Sequence, residues 1–235
     1  MFAVFKREMR SYFTTPIGYV FLAVFAAVSA AFFARYTYMA DKADLSGYFT
    51  TMVTAYVLMI PILTMKCFSD ELRGKTDQLL LTAPVSITGV VFAKFFAALC
   101  TYMAGVLISM INFLFLAVNN FTVPFGVAFG MFVGMLLVGT ACIAVGIFIS
   151  AMTESQLVAA LLSLVVLAVM HFTDAFNSVI PFAWLRTVLS NISIGSRYAL
   201  LAGGRFDFSA ILYYLSIAGV FILLTIRVFE RKRWH

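Results

Sequence analysis

Few residues of this chain could do chemistry, and their spacing does not suit catalysis. It has only two histidines, His171 and His235. A hydrolase or acyltransferase needs a nucleophile, a base and an orienting group within reach of one another. His171 and the C-terminal His235 are expected at opposite faces of a membrane, so neither can serve the other. His171, Asp174 and Asn177 could gather around a metal ion, but a lone imidazole at a membrane border is usually just a hydrogen-bonding group. Cys67, Cys100 and Cys142 form no CxxC pair, which argues against a zinc site or a disulfide framework. They read as small side chains in helix packing. Gly74-Lys75-Thr76 resembles the end of a phosphate-binding loop, in which backbone amides wrap the phosphates of a nucleotide. The first glycine of that motif would fall at Ser69, and no strand precedes it, so nucleotide binding by this chain is not expected. No catalytic residue, cofactor or metal is expected.

The stretch most able to engage another molecule is Lys66 to Pro84. Ser69 or Asp70 is expected to cap a helix there, with acids in its first turn. Glu71 and Lys75 are four apart, as are Arg73 and Asp77, so each pair could meet on that helix. Leu72, Thr76, Leu79 and Leu80 supply a less polar face, and Pro84 ends the element. A short amphipathic helix lying along the inner membrane surface is the expectation. A plain connector has no need of the leucine triplet 79–81 beside a mixed-charge helix, so a docking role is expected.

The elements that must position this stretch follow from composition. The chain has 235 residues, of which 63% are hydrophobic and 11% charged. A soluble domain carries roughly 45–50% apolar and about 25% charged residues, so lipid is the expected solvent. Spanning segments of about 20 apolar residues are expected at Ile17–Ala34, Tyr48–Met65, Val90–Val118, Phe125–Ile149, Leu157–Phe172 and Phe208–Ile226. Before them, Phe2, Phe5, Met9, Tyr12 and Phe13 share a helical face that Lys6, Arg7 and Arg10 avoid. This predicts an uncleaved helix over 1–15 lying in the membrane interface, broken by Pro16. The segment 173–207 is too apolar for a free loop and too interrupted, by Arg186 among others, for a span. It is expected to form short re-entrant helices in the outer leaflet.

The net charge of +6 does not imply nucleic acid, because the basic residues sit at the ends of apolar runs rather than in a soluble patch. With both termini in the cytoplasm, the inner side holds Lys6, Arg7, Arg10, Lys66, Arg73, Lys75, Lys94 and the basic C-terminal end. Arg35, Lys42, Arg186, Arg197 and Arg205 fall outside. That asymmetry fits the positive-inside rule and an even number of spans. Lys94 is expected to snorkel to the inner interface, and no ionisable residue is expected deep in a span, which argues against proton-coupled transport. Gly126, Gly130 and Gly134 form a small-residue row expected to let helices pack closely.

On these residues the chain resembles a known family. Glu71, Gly74, Thr76, Leu79–Leu81, Pro84 and Lys94, placed between spans two and three, are similar to the signature of ABC type-2 exporter permeases. The run Leu80-Leu81-Thr82-Ala83-Pro84-Val85-Ser86 resembles the gliding-motility-associated branch, as do Arg7-Glu8, Ser11-Tyr12-Phe13 and Pro16-Ile17-Gly18-Tyr19. Lys75, between the glycine and the threonine, departs from the pattern of many relatives. The resemblance implies a single all-α permease domain over 1–235 in the cell membrane, expected in a bacterial inner membrane. It implies an exporter without enzymatic activity of its own, driven by a separate cytoplasmic ABC ATPase subunit and paired with a second permease as homodimer or heterodimer. The loop 66–88 would be the coupling helix, with Asp70, Glu71, Arg73, Gly74, Thr76, Leu79 and Pro84 at the ATPase contact. A second contact would come from Ser150–Gln156, which contains Glu154. The competing readings are a membrane anchor or assembly subunit without transport, and an intramembrane enzyme.

Overall fold

The computed structural model describes residues 2–37, 45–76, 86–118, 125–176, 193–202 and 208–234. Their helices are α1 (Phe2–Thr14), α2 (Pro16–Thr37), α3 (Leu45–Thr64), α4 (Lys66–Arg73), α5 (Ile87–Val118), α6 (Phe125–Met152), α7 (Gln156–Phe176), α8 (Ile194–Ala202) and α9 (Phe208–Trp234). No strand occurs among the described residues. Helices satisfy their backbone groups internally, which hydrocarbon requires. Six are long and apolar enough to cross a membrane: α2, α3 continued by α4, α5, α6, α7 and α9. They coincide with the six expected spans.

The bundle is built around α6, which packs against α3, α4, α5, α7, α8 and α9. Its apolar window is 67% buried, as is that of α3 with α4, against 28% for α2 and for α7, so α6 and α3 form the core and those two are peripheral. Small residues let α6 take that place. A β-carbon at Gly139 would overlap the Tyr102 ring, and one at Gly146 would overlap Thr64. The Tyr102 hydroxyl donates to the Met135 carbonyl at 2.9 Å, so the ring that fills the Gly139 notch is also bonded there. The expected row at Gly126, Gly130 and Gly134 is only partly a packing seam. Gly134 meets Tyr198 and Leu201, and Gly130 is buried, but Gly126 faces open space. The tighter approaches lie further along α6, where Tyr102 and Thr64 supply the opposing surface.

Aromatic side chains fill the interior beside this seam. Phe25 stacks on Tyr56 with ring centroids 4.9 Å apart, and Tyr102 meets Tyr56 edge-on at 5.5 Å, geometries that aromatic quadrupoles favour. Three interior polar groups from separate helices are bonded to one another. Asn112 Nδ2 donates to Ser29 Oγ at 2.9 Å, and Ser29 shares a hydrogen bond with the Tyr48 hydroxyl at 2.8 Å.

The N-terminal helix forms as expected and stops at a bend before Pro16. It packs on α5 and α2. Phe5, Met9 and Phe13 are half-buried and Tyr12 is buried, while Phe2, at the free end, is exposed. Of the expected re-entrant segment, residues 177–192 and 203–207, including the apolar run Val179–Leu189, lie outside the described residues. α7 extends through 173–176, and α8 packs on α6, α7 and α3 with Ile194, Tyr198 and Leu201 buried.

Candidate functional site

The polar groups of the bundle gather where α3 passes into α4. The helix does not restart at Ser69 or Asp70, as the capping pattern suggests. It continues from α3 through Met65, whose N–H still bonds the Pro61 carbonyl at 2.9 Å, and α4 begins at Lys66. The junction is held from outside by Ser150 of α6. Its hydroxyl accepts the N–H groups of Phe68 (3.0 Å) and Ser69 (3.2 Å) and donates to the Met65 carbonyl at 3.1 Å. One hydroxyl thus uses both lone pairs and its proton, and an inserted side chain of this kind is a known cause of helix bending. Ser69 itself is buried and its hydroxyl donates to the Met65 carbonyl.

α4 turns Cys67, Phe68, Ser69 and Leu72 inward and leaves Arg73, Gly74, Lys75 and Thr76 exposed. Its end is a two-bond helix stop. Thr76 N–H reaches the Glu71 carbonyl at 3.0 Å and Lys75 N–H the Leu72 carbonyl at 3.2 Å. This Schellman arrangement needs a left-handed residue at its turn, usually glycine. Here Lys75 takes it, with φ of 52°, and Gly74 stays right-handed at φ −79°. Lys75 is therefore the residue that stops the helix.

The expected Glu71–Lys75 pair does not form, because Lys75 has left the helix. Glu71 turns inward instead. Its Oε1 lies 3.0 Å from Lys94 Nζ and 2.8 Å from Arg7 Nη2. Glu8 of α1 completes the cluster, with Oε1 3.2 Å from Lys94 Nζ and 2.7 Å from Arg7 Nη2. Lys94 also donates to the Cys67 carbonyl at 2.7 Å. Lys94 does not snorkel: only 2% of its side chain is exposed. It is ion-paired to both carboxylates as well as bonded to that carbonyl, its ammonium stands 5.0 Å over the Phe68 ring, and two cations balance two carboxylates. That balance is what makes burial of these charges tolerable. The other Glu71 oxygen, Oε2, is buried without a hydrogen-bond partner. The bond to Glu8 holds the Arg7 guanidinium above its ordinary pKa. Burial likewise raises the Tyr12 phenol well above its own, so Tyr12 remains a neutral donor, to the Leu63 carbonyl at 3.2 Å.

These groups line a cleft of about 250 Å³ bounded by Arg7, Glu8, Tyr12, Lys66, Asp70 and Lys94. On the far side of α4, Asp70 accepts a hydrogen bond from Gln156 Nε2 at the start of α7, and Lys66 pairs with Asp70 at 3.6 Å. The turn before α7 is shaped by Thr153, whose hydroxyl accepts Ser155 N–H at 3.1 Å, and it presents Glu154 to the outside. The C-terminal end of α9 reaches the same end of the bundle, with Phe229 against Phe68 at 4.6 Å.

Of the residues expected at a docking surface, Asp70, Arg73, Gly74, Thr76 and Glu154 stand at this one end of the bundle. Glu71 is there too but faces the interior, and Leu79 and Pro84 lie outside the described residues. Sequence reasoning gave Glu8 no role, took Ser150 and Gln156 only as the bounds of a second contact and not as partners of α4, and gave Lys94 the wrong surroundings. The available signal was a lysine in the second turn of a spanning helix, which calls for a counterion, and the single acid of α1. His171 Nε2 shares a hydrogen bond with Thr54 at 2.9 Å, the ordinary role expected of it. Among the described residues no three His, Cys, Asp or Glu side chains stand together as a metal site would require.

Six apolar spans, one of them the buried helix α6, with the ion pairs of the described residues collected at one end, define a polytopic α-helical membrane protein. The family described as ABC-2 family transporter protein matches residues 6–170, and the chain belongs to it, as a membrane permease of ABC-2 type. The matched region covers α1 through most of α7 and therefore includes the whole ion-pair cluster. No curated protein matches the chain significantly.

Proposed function

We propose that this permease is driven by a separate ABC ATPase subunit that docks on α4 and on the turn before α7. The observation that carries this reading is the union of two loops far apart in sequence. Ser150 holds the start of α4, and Gln156 bonds Asp70, so the two segments present one surface. Arg73, Gly74, Lys75 and Thr76 are its exposed part on one side and Glu154 on the other. A rigid, two-part surface is what a motor needs if its closure is to be felt by the spans. To invert a two-state equilibrium from 1:99 to 99:1 takes about 5.5 kcal/mol of differential binding, which a surface held in one geometry is suited to deliver.

In this reading the end bearing α4 is cytoplasmic, both termini lie on that side, and α1 rests in the membrane interface. Leu79 and Pro84 belong to the same docking loop. A second permease, identical or related, completes the transport pathway, and transport runs outward. The test is co-purification of the full chain with an ABC ATPase co-expressed beside it. Arg73→Glu combined with Glu154→Lys is expected to abolish capture of the ATPase and its stimulation without lowering permease yield. Unchanged capture and stimulation would remove the docking role.

A further inference from the structure

The ion-pair cluster also joins α1 to the docking segment. Glu8 is the single acid of α1, yet its side chain is only 15% exposed. Its partner Lys94 is more deeply buried, ion-paired to Glu8 of α1 and Glu71 of α4, and donates to the Cys67 carbonyl of α4. A well-packed apolar residue in place of a buried ion pair is often as stable or more so, and what the charges add is a fixed register. One such tie would let α1 pivot. A second stands one turn further along the same face: the Tyr12 hydroxyl donates to the Leu63 carbonyl and meets Cys67 Sγ at 3.2 Å. Glu8 also holds Arg7, whose Nη2 bonds Glu71 at 2.8 Å, so Arg7, Glu8 and Tyr12 together grip the α3–α4 junction. At Gly18 the absence of a β-carbon leaves room for the Tyr12 carbonyl, which allows this close return of the chain.

We infer that Glu8 is a positioning residue of the docking segment: through Lys94 it fixes Glu71 and the α4 helix, so that α1, α4 and the start of α5 move as one body. The clamp itself stands on the contacts above; that it carries the motor's load rests on the proposed docking of an ATPase. Glu71 is then an internal tie rather than a contact with the partner.

Spin labels at the exposed positions Arg10 and Arg73, in the full chain reconstituted in lipid nanodiscs, read the clamp directly. The otherwise unsubstituted protein is expected to give a single narrow distance distribution, and Glu8→Gln to widen it at least twofold. Unchanged width overturns the inference. Should Glu8→Gln fail to fold, the neutral variant Glu8→Gln/Glu71→Gln/Lys94→Met strands neither Lys94 nor a carboxylate, and the same widening is expected of it, with the same contrary result. In the co-expressed complex, Glu8→Gln should lower ATPase stimulation at least fivefold while capture of the ATPase stays within twofold. Loss of capture, or full stimulation despite a widened distribution, overturns the positioning role. An unsubstituted chain that widens on Glu8→Gln but never captures an ATPase would instead refute the docking proposal and leave the clamp standing.

Discussion

Lys75 and Lys94 show how much a single side chain depends on its backbone setting. Lys75 occupies a left-handed position that costs an L-residue roughly 1–2 kcal/mol, while glycine takes it freely. Lys75→Gly is therefore expected to tighten the end of α4 by about 1 kcal/mol. Amide exchange at Lys75 and Thr76 should slow about fivefold, since 1.4 kcal/mol corresponds to tenfold. Faster exchange would show that the lysine side chain holds the turn in some other way. Lys94→Met removes a cation that two carboxylates share. Breaking a buried pair costs about 3–5 kcal/mol, whereas replacing the buried charges together by neutral groups is often nearly neutral, and Arg7, which would stay charged, is 56% exposed. Denaturant unfolding should show the large loss for Lys94→Met and recovery of most of it in Glu8→Gln/Glu71→Gln/Lys94→Met. Equal losses in the two variants would mean that packing, not charge, holds this corner.

At the scale of elements, Gly139 and Gly146 are the two glycines of α6 with least room to change, and Gly139 is the one that meets a ring. Its missing β-carbon seats the Tyr102 ring, so Gly139→Ala is expected to destabilise the bundle by about 1–3 kcal/mol through overpacking. Gly126→Ala, facing open space, should be tolerated. Thermal unfolding in detergent separates the two, and equal melting temperatures would refute the seam. These contrasts also show what the sequence made legible. The six spans were readable because hydrocarbon demands long apolar runs and nothing else competes with that signal. The glycine row at 126–134 was visible as a pattern, but which glycines meet a neighbour depends on Tyr102 and Thr64, which belong to other helices. The start of α4 was misread because the helix runs on from α3 through Met65, so no new start exists for Ser69 or Asp70 to cap, and Ser150, far along the chain, bonds the amides of Phe68 and Ser69 at the junction. The Glu8–Lys94–Glu71 cluster was hidden for the same reason: its members come from three helices, and no local spacing pairs them.

For the whole molecule, the polar and charged groups are distributed unevenly along the bundle axis. Among the described residues, one end carries the N-terminal helix, α4, the turn at Glu154 and the basic end of α9 with Arg231, Lys232 and Arg233. The concentration of basic residues there is the reason for assigning it to the cytoplasm, and a cytoplasmic ATPase can act on α4 only if that assignment holds. The most direct test uses single cysteines at Arg73 and at Glu154, in a chain whose Cys67, Cys100 and Cys142 are replaced by alanine, with a thiol reagent that cannot cross the membrane. Labelling of both positions in inside-out vesicles and of neither in intact cells is the predicted result. Labelling of either position from outside intact cells would contradict it, because no cytoplasmic motor could then reach the surface that α4 presents.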